Sequence, residues 1–171
     1  MFNAMPIVPF ESLPDESRIW VFGSDRPLTD GDAERLLGEV DRFLGQWKAH
    51  GVPLTCARDW RDEHLLTVGV DSTQENASGC SIDGLFRVLQ GIERPLRTRL
   101  VGGGRVFYRA SDGSVQCVER SGVPQLAATG AIGADTCVFD TGLTNAGDWR
   151  DHFEAPARES WLGKLLIGGG R

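Results

Sequence analysis

Apolar positions recur with two different periods in the first half of the chain, and these periods predict a strand followed by a helix. The continuous run of β-formers at residues 19–22 is typical of a strand that is buried on both faces. A helix capped by Thr29 or Asp30 follows, because apolar residues then recur every three or four positions. The positions on this apolar face are Ala33, Leu36, Leu37, Val40, Phe43, Leu44 and Trp47.

The predicted first helix ends near His50, which shares the last turn with Lys48. Positive side chains in that turn complement the negative end of the helix dipole, and Gly51 is placed to end the helix with a positive φ. Two short apolar runs then occupy residues 54–60 and 64–70. Alternation of apolar residues in the second run predicts a β-hairpin.

Residues 71–118 again predict a helix followed by a hairpin. A polar loop at residues 71–79 leads into a helix that we expect to begin near Ser81 and to end at Pro95. Its apolar face consists of Ile82, Leu85, Phe86, Leu89 and Ile92. Residues 105–109 and 115–118 then predict a second hairpin, because an Asp-Gly pair supplies the turn between them.

The resulting order is βαββαβ, the order of ferredoxin-like folds, in which one antiparallel sheet carries both helices on one face. We therefore predict an α+β fold with a C-terminal strand and helix extension. The whole chain is expected to be one domain, because 171 residues suffice for a single apolar core. We divide it into an N-terminal arm (1–16), a βαββαβ core with an added strand (17–118) and an extension (119–171).

Composition and charge exclude several classes of protein. The net charge of −6 argues against general binding to nucleic-acid backbones, which depends on clustered Lys and Arg. No apolar run approaches the length of a membrane span, and the N-terminus lacks the pattern of a secretory signal. We therefore expect a soluble, cytoplasmic protein with no membrane partner. The four cysteines form no C-x-x-C pair, and we predict no metal ion and no cofactor.

One stretch departs from the acidic character of the chain. Residues 94–109 contain five arginines and no acidic side chain. We interpret this stretch as a solvated strand and turn surface, since surface charge runs are usually no more than that. The alternative interpretation is a basic patch that attracts an anionic partner. The five arginines are Arg94, Arg97, Arg99, Arg105 and Arg109.

The predicted topology brings chemically active residues to one rim of the sheet. If the strands run up and down as expected, the end of the first helix meets the loop that precedes the second helix. His50 and Cys80 then share this rim with Asp83. The residues that we expect to contact a ligand there are Asp71, Asn76, Ser78, Gly79 and Ser81.

This rim supports two functional hypotheses. In the first, the protein is a thiol-dependent enzyme for acyl transfer or hydrolysis: Cys80 is the nucleophile, His50 the general base and Asp83 or Asp71 its orienting carboxylate. The positive end of a helix favours a thiolate, which is the reactive form. In the second, the rim or the arginine stretch holds a small anion or a protein partner without catalysis. Simple packing of Cys80 in a tight loop is a third interpretation.

Several segments of the sequence are similar to a family of small, uncharacterised bacterial proteins that are often labelled "ABC transporter ATPase". The resemblance covers almost the whole chain, and its most specific segments are Ala49-His50-Gly51 and Gly79-Cys80-Ser81-Ile82-Asp83. It implies no particular activity. The label does not fit the residues, because the chain has no G-x-x-x-x-G-K-[ST] loop to hold phosphates. We therefore do not expect a P-loop ATPase.

Overall fold

The computed structural model describes residues 7–73 and 75–168, which form nine β-strands and five α-helices. The strands are β1 (Arg18–Gly23), β2 (Lys48–Ala49), β3 (Val52–Pro53), β4 (Cys56–Arg61), β5 (Leu65–Val70), β6 (Arg105–Arg109), β7 (Val115–Glu119), β8 (Cys137–Phe139) and β9 (Glu154–Pro156). The helices are α1 (Asp30–Leu44), α2 (Gly79–Leu96), α3 (Val123–Ala128), α4 (Ala146–His152) and α5 (Leu162–Gly168). Helices and antiparallel sheets together confirm the α+β class. Across the described ranges, none of the helices has the length and apolar character needed to span a membrane.

The first sheet has the strand order β1-β5-β4, and β5 runs antiparallel to both neighbours. Strands β4 and β5 form the hairpin predicted from the sequence, and every residue of β5 is buried. The turn of this hairpin contains Asp62 and Glu63, which adopt positive φ values of 55° and 64°. Because both edge strands oppose β5, β1 and β4 run parallel to each other.

Helix α1 covers one face of this sheet with the apolar stripe that the sequence predicts. Leu36, Val40 and Leu44 are fully buried there, and the hydroxyl oxygen of Thr29 caps the helix by accepting the Asp32 N–H at 3.2 Å. The predicted helix end at Gly51 is wrong, because α1 ends at Leu44. Beyond this point the chain turns back on itself, and the next residues pair as the short strands β2 and β3.

Helix α2 covers the same face of the sheet and is longer than the sequence predicts. It begins at Gly79, not near Ser81, because the backbone of Ser78 is extended and its hydroxyl oxygen accepts the Ser81 N–H at 3.2 Å. It also passes through Pro95, which lies in the last turn. The helix ends when Arg97 adopts a left-handed conformation with φ of 52°.

The strands after α2 belong to a second sheet with the order β7-β6-β8-β9. The ferredoxin-like order is therefore not confirmed, since that order places the fourth strand beside β1 in a single sheet. Between α2 and β6 the chain changes direction at Gly102 and Gly104, which have φ values of 110° and 86° that favour glycine. Strand β6 pairs with β7 and β8 and not with β1.

Three apolar clusters hold these layers together. The first lies between the first sheet and helices α1 and α2. The second joins the opposite face of that sheet to the second sheet and α4, through residues such as Ile19, Phe107 and Trp149. The third lies on the outer face of the second sheet, where Val123 of α3 and Leu162 of α5 cover it. The extension that begins at residue 119 thus supplies part of two clusters.

Candidate functional site

The end of α1 and the beginning of α2 meet at one rim of the first sheet, as the chain direction predicts. The indole Nε1 of Trp47 donates a buried hydrogen bond of 2.8 Å to the carbonyl oxygen of Ser81. The Trp47 ring also packs against Phe43 and Trp20, with ring centroids 5.3 Å and 5.9 Å away. This contact fixes the first turn of α2 beside the segment that follows α1.

His50 does not lie in the last turn of α1, where the sequence placed it. It occupies the two-residue turn between β2 and β3 with Gly51, and the two residues have φ values of 52° and 78°. Positive φ at both central positions is the geometry of a type I′ hairpin turn. The imidazole is therefore carried on an exposed turn that is not anchored by helical hydrogen bonds.

Cys80 and Asp83 are both exposed in the first turn and a half of α2. Cys80 is the second residue of the helix and does not lie before it, as a helix that begins near Ser81 would require. Within residues 7–73 and 75–168, the side chains of Cys80, His50 and Asp83 make no hydrogen bond or ion pair. The geometry thus gives the thiol access to solvent but no hydrogen-bonded base.

Most of the other residues predicted at the rim use their polar groups locally. Ser78 and Ser81 bond to each other, since the Ser81 hydroxyl donates to the Ser78 carbonyl at 2.8 Å. The carboxylate of Asp71 accepts hydrogen bonds from the backbone and hydroxyl of Thr73. Asn76 and Gly79 are exposed. Residue 74 of the same loop lies outside the described residues.

The arginine stretch contains the most unusual charged group of the described chain. Arg105 was expected on a solvated surface, but it is 92% buried, since only 8% of its surface is exposed. Its Nη2 donates to the carbonyl of Gly102 at 3.2 Å, whereas Nε and Nη1 have no hydrogen-bond partner among the described residues. This burial follows from strand alternation, because Arg105 and Phe107 lie on the face of β6 that meets the first sheet.

Arg105 lines a cavity of about 440 Å³ along the outer edge of β1, which we call the edge cavity. Its wall is formed by all six residues of β1 together with Phe86, Leu100, Gly103, Arg105, Phe107 and Thr144. Two arginines line it, Arg18 and Arg105, and no acidic side chain of the described ranges does. The edge cavity therefore has a mixed lining in which apolar groups predominate, and its charged residues are both positive.

A carboxylate outside the edge cavity balances only part of this charge. Burial raises the pKa of Asp25, but hydrogen bonds from Thr98 and Arg99 and the positive charges of Arg105 and Arg99 lower it overall. Asp25 is held by the Thr98 hydroxyl at 2.8 Å and the Arg99 N–H at 3.1 Å, so its oxygens already have donors. Arg105 forms no ion pair with a described carboxylate.

The remaining arginines of the stretch have different surroundings. Arg109 binds Asp62 and Glu154, and Arg99 lies 3.5 Å from a carboxylate oxygen of Glu119. Sequence reasoning treated the five arginines as one surface and missed the buried one. Along β6, Arg105 and Phe107 alternate with Val106 and Tyr108, which are both buried on the opposite face of the strand. Such a run indicates a strand buried on both faces, and this signal could have identified Arg105 as buried.

No family model, curated protein or solved structure matches this chain. The resemblance noted in the sequence thus stays a prediction. Among the residues that the structure describes, no group of three or more His, Cys, Asp or Glu side chains is arranged to hold a metal ion.

Proposed function

We propose that the protein binds a small anionic ligand in the edge cavity, with Arg105 as the group that recognises its negative charge. The observation that carries this proposal is the buried guanidinium of Arg105, two of whose donor nitrogens have no partner within the described chain. This function corresponds to the second hypothesis from the sequence. The proposed site is the edge cavity beside Arg105 and not the rim.

The energetic argument rests on the cost of burying an uncompensated charge. Taking a charged group out of water costs several kcal/mol unless a counter-charge and hydrogen bonds offset it. A ligand carboxylate or phosphate in the edge cavity would supply both for Arg105. Hydrogen bonds to charged partners are also shorter and stronger than neutral ones. The positive charge that would attract an anion, and the donors that would bind it, are therefore present in the free protein.

The walls of the edge cavity indicate that the ligand has an apolar part as well. The rings of Phe86 and Phe107 and the side chain of Leu100 line the space beside Arg105. A volume of about 440 Å³ also lies within the range of about 300–1,000 Å³ that is common for small-molecule sites. We expect an anionic head group at Arg105 and an apolar body against the rings.

Arg105→Met tests this proposal with benzoate, hexanoate and inorganic phosphate as probes. In the unmodified protein, at least one probe should shift the NMR resonance of Arg105 Nε–H and raise Tm by about 5–10 °C at about 100 times its Kd. The variant should lose both effects. Its free energy of unfolding without a probe should be unchanged or higher, because an apolar side chain replaces a buried charge that has no ion pair among the described residues.

Arg99→Met is the matched control, since Arg99 belongs to the same stretch but its side chain is 60% exposed and lies outside the edge cavity. This variant should keep the response to the probes. If no probe shifts the Arg105 resonance, or if Arg105→Met unfolds more readily than the unmodified protein, the guanidinium has a structural role and the proposal is wrong.

The thiol-dependent enzyme remains a hypothesis from the sequence. In its favour, Cys80 is exposed in the first turn of α2 and lies next to Ser81, which Trp47 binds. Its test is a comparison of thiol reactivities in the folded and the unfolded protein.

A further inference from the structure

The outer edge of β1 is bonded to the rest of the protein at its two ends. At the first end, the N–H of Ile19 donates to the carbonyl of Thr144 at 3.0 Å, and the N–H of Ala146 donates to the carbonyl of Ser17 at 2.9 Å. At the other end, the N–H of Asp25 donates to the carbonyl of Arg99 at 3.2 Å. Residues 17, 19 and 25 thus direct their backbone groups away from β5.

Strand alternation then determines the direction of the backbone groups between these ends. Successive residues of a strand direct their N–H and C=O groups to opposite edges, so Val21 and Gly23 face the same side as Ile19. Both residues line the edge cavity. Their outward backbone groups have no hydrogen-bond partner in the part of the chain that the structure describes. The middle of this strand edge is therefore open inside the cavity.

Arg105 lies toward the Gly23 end of this open edge. The ring of Phe107, two residues further along β6, occupies the space directly above Gly23. The charge of Arg105 also acts on Asp25, which follows the end of β1. A ligand that pairs with the open edge would therefore meet the guanidinium at the end where β1 finishes.

We infer that the ligand is a short extended peptide whose C-terminal carboxylate binds Arg105. This inference rests on the proposed function. The backbone of the peptide pairs with Val21 and adds a strand to the first sheet, a mode of recognition in which main-chain hydrogen bonds supply affinity. Because the carboxylate lies at the Gly23 end, the peptide runs parallel to β1. The absence of acidic side chains from the cavity wall favours this negatively charged terminus.

The dimensions of the open edge limit the length of the peptide. Residues 19 and 25 are about 20 Å apart along a strand, at about 3.3 Å per residue, and both ends are occupied by Thr144 and Arg99. About four peptide residues fit between these contacts. Their side chains alternate between the α2 side, where Phe86 lies, and the β6 side, where Phe107 lies. Small and medium apolar side chains suit both sides.

A pool of N-acetylated tetrapeptides built from Ala, Val, Leu, Phe and Ser tests this inference. The free-acid pool, at about 10 mM total peptide, should shift the NMR resonances of Arg105 Nε–H and of the Val21 and Gly23 amides. It should also slow hydrogen exchange of the Val21 amide by about tenfold or more. The same pool with C-terminal amides should bind at least about tenfold more weakly, because the charged hydrogen bonds are lost.

Val21→Pro is the matched variant, because it removes a backbone N–H that points into the cavity and not toward β5. Proline is also tolerated on edge strands. The variant should lose the peptide response but keep the phosphate response of Arg105. If phosphate shifts the Arg105 resonance while the free-acid pool leaves the Val21 amide unchanged, the peptide inference is overturned and anion binding stands. If the free-acid pool and all three small anions, phosphate, benzoate and hexanoate, leave the Arg105 resonance unchanged, the proposed function fails with it. If Val21→Pro does not fold, the comparison of the free-acid pool with the amide pool tests the inference instead.

Discussion

The four cysteine side chains have very different surroundings. Cys56 is completely buried, and burial, with a smaller effect from the charge of Asp41, raises the pKa of its thiol to about 12. Burial also raises the pKa of Cys117 to about 11. Cys80 is exposed on the first turn of α2. Because the thiolate is the reactive form, these thiols should differ strongly in their rates of alkylation.

We expect iodoacetamide at pH 7 to modify Cys80 at least about 100-fold faster than Cys56 or Cys117, as followed by peptide mapping with mass spectrometry. Exposure alone explains that ratio. The enzyme hypothesis requires more: Cys80 must react faster in the folded protein than in urea, and a change at His50 must slow it. Equal rates in both states would contradict the nucleophile hypothesis.

His50→Asn is the variant for this comparison. His50 has a φ of 52°, and asparagine adopts positive φ more readily than alanine, so the turn between β2 and β3 should be preserved. A slower reaction of Cys80 in this variant would then report the lost imidazole and not a distorted turn. An unchanged rate would show that His50 does not act on the thiol.

At the scale of elements, β1 and β6 are in direct contact at Gly23. A β-carbon at this position would overlap the ring of Phe107, which is itself buried and fixed within the second apolar cluster. Glycine is therefore required here by the packing of the two strands, although its backbone conformation is that of an ordinary strand. This contact forms one wall of the edge cavity.

Gly23→Ala should lower the free energy of unfolding by about 1–3 kcal/mol, because overpacking forces the strands apart. Urea denaturation measures this change. Gly91→Ala is the control, since a β-carbon at Gly91 on α2 meets no atom within 4 Å. That variant should be more stable by about 0.5–1 kcal/mol, because alanine is the better helix former. Equal stability of the two variants would contradict this view of the contact.

At the scale of the whole molecule, Arg109 connects the two sheets. From β6 its Nη1 donates to Asp62 at 3.3 Å, in the turn of the first sheet, and its Nε donates to Glu154 of β9 at 2.9 Å. Its guanidinium also lies 5.4 Å from the centroid of the Phe139 ring. One side chain thus joins elements that are remote in the chain.

Arg109→Met should lower the free energy of unfolding by about 1–3 kcal/mol, because two carboxylates lose their partner. Arg42→Met should change it by less than about 0.5 kcal/mol, since the ion pair of Arg42 with Glu39 lies on the exposed surface of α1. Thermal or urea denaturation distinguishes the two variants. A loss of similar size in both would show that Arg109 makes no special connection.

Local patterns in the sequence predict those elements that are stabilised by contacts between residues close together in the chain. The capped, periodic face of α1 and the hairpin of β4 and β5 were predicted because helix and hairpin periods are visible within 15 residues. The end of α1 was missed, because the burial of Trp47 against α2 and the pairing of β2 with β3 decide it. For the same reason His50 lies on a turn and not in a helix.

The residue pattern alone predicts the mixed α and β composition, the main helices and hairpins, and a run of five arginines that extends from the last turn of α2 to the end of β6. Contacts that are remote in the chain determine which sheet β6 joins and what surrounds Arg105 there. Both depend on contacts between segments far apart in the chain, namely the pairing of β6 with β8 and the packing of β6 against β1. The alternation along β6 is visible in the sequence, whereas the edge cavity and the lack of a partner for Arg105 Nε and Nη1 among the described residues depend on these long-range contacts.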